Sequence, residues 1–135
     1  MSIPTQEDAH LMVELFKLRL NSYLQTSERW FNTTFQPGTW AEVQEKYAKG
    51  SDEWHMLVTV LGYWEMVGAL VDQNLLSEDL LFDAIESMDF TWERLKEWLP
   101  IIRPDVGPDV WENIEILANR QQKWRYTRIP KALRP

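Results

Sequence analysis

Residues 52–73 read DEWHMLVTVLGYWEMVGALVDQ, and large apolar side chains fill most of the stretch. On a helix, at about 100° per residue, His55, Thr59, Gly62, Glu65, Ala69 and Asp72 fall on one stripe. Trp54, Leu57, Val58, Leu61, Trp64, Val67, Leu70 and Val71 lie beside that stripe. A helix built this way is buried on most sides and keeps one small or polar seam. It belongs at the centre of a bundle, and the rest of the chain has to cover it.

The flanking sequence supplies the covers. Thr5, with Glu7 and Asp8 just after it, suits a helix start, where acids meet the positive end of the helix dipole. Steps of three and four through Met12, Phe16, Leu20, Tyr23, Ser27, Trp30 and Thr34 carry this helix to Thr34, and Pro37-Gly38 stops it. Thr39-Trp40-Ala41-Glu42 is a capping box that predicts a short helix over residues 40–48, with Gly50 as its breaker. Ser51 caps the central helix, and Asn74 suits its left-handed exit. Ser77-Glu78-Asp79 opens a fourth helix with Leu81, Ile85, Met88, Trp92, Leu95 and Leu99 as its stripe, ended by Pro100 and Pro104. Gly107-Pro108-Asp109 opens a fifth, with Val110, Ile114, Leu117, Gln121 and Trp124 on its face. The expectation is an all-α helical bundle of four longer helices plus one short helix, with the first and third helices as antiparallel neighbours.

The stretch YWEMVGALVDQNLLSEDLLFDAIESMDFTWERLKEWLP, residues 63–100, resembles a family of short, mostly bacterial helical proteins of unknown function. The shared pattern is a Tyr-Trp-Glu run, an apolar helix, an Asn or Gly turn, and a second helix with an aspartate and a Trp before a Pro-rich stop. The Trp30-Phe31 pair of the first helix fits it as well. The resemblance covers residues 5–120, leaves out the basic C-terminus, and implies an all-helical fold without implying an activity.

Several function classes are excluded or disfavoured. Cysteine is absent, which removes disulfides, thiolate nucleophiles and Cys-based zinc or iron–sulfur centres. Neither a Gly-x-Ser-x-Gly motif nor a Gly-rich phosphate loop occurs. The N-terminal MSIPTQEDAH lacks the basic and apolar regions of a signal peptide. No apolar run reaches the roughly 18 residues of a membrane span, so a cytoplasmic protein is expected.

Charge divides the chain. All 21 acidic residues lie at or before Glu115, and eight of the 14 basic ones precede Asn119, so residues 1–118 carry −13 and residues 119–135 carry +6. This suggests a bundle domain over 1–118 and a basic aromatic tail over 119–135. Arg120, Lys123, Trp124, Arg125, Tyr126 and Arg128 are its candidate partner-binding residues. An acidic body repels phosphate, so docking on the body of this chain or of a second copy is favoured over nucleic acid or an anionic membrane. A protein partner or self-association, as in a homodimer, is the expected mode.

Glu65 poses the remaining question, because a buried carboxylate without partners costs several kcal/mol or takes up a proton. An antiparallel pairing through the Asn74 turn brings Asp72 near Asp83, with Glu65 and Glu86 in range. Glu65, Asp72, Asp83 and the adjacent Trp64 are therefore candidate ligand-binding residues. Structural pairing of Glu65 with a Trp, Tyr or Arg is the plainer alternative. Glu7-x-x-His10 and Asp52-x-x-His55 imitate a di-metal motif, but antiparallel helices put the two histidines at opposite ends. No metal and no cofactor is expected, and the chain reads as acting through contact or small-ligand binding rather than catalysis.

Overall fold

Residues 3–85 and 88–135 are described by a computed structural model, in which they form seven α-helices and no strand. The helices are α1 (Gln6–Arg19), α2 (Ser22–Thr33), α3 (Trp40–Lys46), α4 (Asp52–Asp72), α5 (Glu78–Ala84), α6 (Asp89–Val106) and α7 (Glu112–Thr127). The all-α expectation holds, and so does the centre: α4 packs against both α2 and α7 and buries Leu57, Val60, Leu61, Tyr63, Trp64, Val67, Gly68 and Val71.

The local start and stop signals act as the sequence predicts. Thr39 and Glu42 form the reciprocal capping box of α3. The Ser51 and Ser77 hydroxyls accept the N–H groups of Trp54 and Leu80. Gly50 and Asn74 both take positive φ, +91° and +59°.

Three boundaries differ from the expectation. The single helix over residues 5–34 is two helices, because the Asn21 carboxamide accepts the N–H groups of Tyr23 and Leu24 and starts α2 afresh. The fourth helix also divides, into α5 and α6, where Ile85 turns to an extended ψ of 141°. Pro100 and Pro104 then sit inside α6 instead of ending it. A proline inside a helix costs about 3 kcal/mol, which burial of Trp98, Leu99 and Ile102 offsets at about 1.5–3 kcal/mol for each large apolar side chain. The fifth helix begins later than Gly107-Pro108, after Trp111 in the left-handed region.

By length and composition α4 is apolar enough to cross a membrane, although Glu65 interrupts its apolar run. Here α2 and α7 lie against it. At the far end of the core, Phe31, Phe35, Tyr47 and Trp98 pack ring to ring. The Trp98 indole N–H, at 2.9 Å from the Gly38 carbonyl, is buried within this cluster.

Candidate functional site

The Glu65 carboxylate is occupied. Its Oε1 accepts the Ile114 backbone N–H at 3.0 Å, and its Oε2 accepts the Asn113 amide at 3.1 Å. Both donors belong to the first turn of α7, which has no side-chain cap of its own. A carboxylate from α4 thus caps α7 across the helix interface, where its charge also meets the positive end of the dipole. Gly68, one turn further on, makes the approach possible. A Cβ there would stand 2.2 Å from the Asn113 carbonyl oxygen.

The other candidate carboxylates have separate partners. Asp72 meets Arg120 at 3.4 Å. Asp83 meets Lys131 at 2.7 Å, and that hydrogen bond holds its carboxyl below the usual range. Glu86 lies outside the described residues. Among the described residues, no three His, Asp or Glu side chains gather in a way that could hold a metal ion. His10 and His55 are exposed.

The basic segment folds back on this chain's own acids. Arg120 reaches Asp72 and, at 3.9 Å, Glu78. The Trp124 indole donates to Asp79 at 3.0 Å and its ring packs on Phe82. Arg125 pairs with Asp89 at 3.2 Å. Arg128 lies over the Trp124 ring at 4.5 Å. Tyr126 and Lys123 face solvent. Four of the segment's anchors lie on α5: Glu78, Asp79, Phe82 and, through Lys131, Asp83.

The opposite side of α5 borders a cavity of about 370 Å³ that periodicity did not reveal. From α1 come Met12, Val13, Leu15, Phe16 and Arg19; from α4, Tyr63 and Val67; from α5, Leu81 and Ala84, with Ile85 just beyond. The Tyr63 hydroxyl donates to the Leu15 carbonyl at 2.8 Å, and burial pushes its pKa up to about 12, so it stays neutral. Arg19 pairs with Glu28 at 3.1 Å and stands 5.0 Å over the Trp64 ring, which places Trp64 directly behind this site. The sequence signal was present in α1. Its apolar residues exceed one stripe, and Phe16, expected inside, is 60% exposed at the cavity's edge.

Apolar walls of this volume suit retention of a small molecule, at the lower end of the roughly 300–1,000 Å³ typical of ligand pockets. Residues 4–124 match the model of a family described as "Domain of unknown function (DUF4760)". No curated protein and no solved structure matches the chain.

Proposed function

The chain belongs to this family of unknown function, and from its geometry we propose that it is a binding protein for a small, largely apolar molecule held between α1, α4 and α5. The observation that carries this reading is the apolar cavity with Phe16 and Val13 at its edge. The Glu65 seam serves the fold by capping α7, and the basic C-terminal segment serves as an internal brace on α5, one wall of the cavity. A regulatory role for that segment follows from the brace, since whatever loosens it loosens the wall.

Protein contact is the second reading, favoured by Val13 and Phe16 of α1 and by Leu20 at its C-cap, which are 47%, 60% and 58% exposed. A second copy of the chain is then the partner.

A neutral fluorescent probe, N-phenyl-1-naphthylamine, tests the first reading. The protein should bind it, and Ala84→Trp should abolish binding without lowering Tm, because Ala84 lines the cavity yet is exposed. Equal binding by the variant would count against the site. Sedimentation separates the two readings: a monomer carrying probe supports the small ligand, and a dimer that excludes it supports contact.

A further inference from the structure

Among the described residues Arg19 is the one charged side chain lining the cavity. It closes α1, two turns beyond Met12 and one beyond Phe16. Along α1 the wall is thus apolar for about 10 Å, at 1.5 Å rise per residue, and then ends in a guanidinium.

Two contacts hold that guanidinium. One Nη donates to Glu28 Oε2 at 3.1 Å, and the group lies 5.0 Å over the Trp64 ring. No other protein acceptor among the described residues takes its remaining N–H groups, and the side chain is 29% exposed. A guanidinium has five donors in a planar fork that matches a carboxylate. The other nearby α1 charges, Glu14 and Lys17, pair with one another at 3.1 Å. Arg19 is therefore the charge that a polar group leaving the apolar wall meets first.

We propose that the cavity takes a medium-chain amphiphile, with an alkyl chain along Met12, Leu15, Val67 and Leu81 and a carboxylate hydrogen-bonded to Arg19. This rests on the cavity being a small-molecule site. The apolar wall of about 10 Å along α1 suits an alkyl chain of medium length, and decanoate is the probe of that class. Glu28 limits the affinity, because it already neutralises part of the Arg19 charge.

Isothermal titration with decanoate and with decanol tests the proposal on the full chain and on Arg19→Gln and Glu28→Gln. Decanoate should bind the unmodified chain more tightly than decanol. Arg19→Gln should weaken decanoate by about tenfold or more, the usual scale for a lost charge-assisted hydrogen bond, and leave decanol unchanged. Glu28→Gln should tighten decanoate. Decanol binding as tightly as decanoate, with both variants indifferent, would overturn the carboxylate site while leaving the apolar cavity standing. If neither molecule binds, the cavity reading falls and the proposal falls with it. Should Arg19→Gln fail to fold, Glu28→Gln alone decides, and unchanged decanoate affinity overturns the proposal.

Discussion

Two glycines on α4, Gly62 and Gly68, look alike in the sequence and are opposite in the structure. A Cβ at Gly62 meets nothing within 4 Å, whereas one at Gly68 meets the Asn113 backbone at 2.2 Å. Gly62→Ala should therefore stabilise by up to about 1 kcal/mol through helix propensity. Gly68→Ala should destabilise by about 1–3 kcal/mol or more, because the α7 backbone has to move. Denaturant titration of both variants checks the pair, and equal effects would refute the close approach. Three carboxyls also have shifted titrations. Asp8 is held below its ordinary 3.8 by the Thr5 and Ser77 backbone N–H groups, Glu42 below 4.5 by the Thr39 hydroxyl and N–H, and Asp83 by Lys131. In each case the unfolded chain takes up the proton first. Their contribution to stability is complete above the ordinary values and is lost as pH falls through the lower folded ones. Tm should be flat just above that range and fall on acidification, and Asp8→Asn should shrink the fall. A Tm rising on acidification would contradict the assignment. Caps such as Ser51, Ser77 and Thr39 were legible because donor and acceptor lie three residues apart. The Glu65 cap was not, since its partners lie 48 and 49 residues away.

At the scale of elements, the period-3.6 pattern located the helical segments but not their interruptions. Asn21 breaks the first predicted helix with one side chain, while Leu20 and Tyr23 keep the spacing of a continuous stripe on either side. Pro100 and Pro104 erred in the other direction, since local steric rules end a helix that buried Trp98 and Ile102 carry onward. The basic segment was legible by charge, but its division of labour was not. Trp124 packs on Phe82 and bonds Asp79, while Lys131 forms an exposed pair with Asp83. Trp124→Ala should cost about 2 kcal/mol, less than the ~3–5 of a fully buried Trp because it is half-buried. Lys131→Gln should cost under about 1 kcal/mol, the usual limit for an exposed pair. Chemical unfolding of the two variants checks this, and a larger loss from Lys131→Gln would mean that charge, not packing, holds the brace.

For the whole molecule, the fold follows from burying α4, and the candidate site follows from what that burial leaves unfilled. α2 and α7 pack on α4, α1 and α5 touch one another, and α1 is tied to α4 by the Tyr63–Leu15 hydrogen bond, which leaves a gap lined by apolar residues of α1, α4 and α5. Such a gap escapes any reading of one helix at a time, because each wall alone looks like an ordinary core face. The charge asymmetry, by contrast, was visible at once and is met in part within the chain, where Arg120, Arg125 and Lys131 pair with acids: α5 takes the basic segment on one side and walls the cavity on the other. The most direct test of the cavity is methyl NMR of the 135-residue chain titrated with decanoate. Shifts should concentrate on the methyls of Val13, Leu15, Val67, Leu81 and Ala84, with those of Val43 and Leu133 unmoved. Shifts confined to the C-terminal segment, or none anywhere, would contradict binding there.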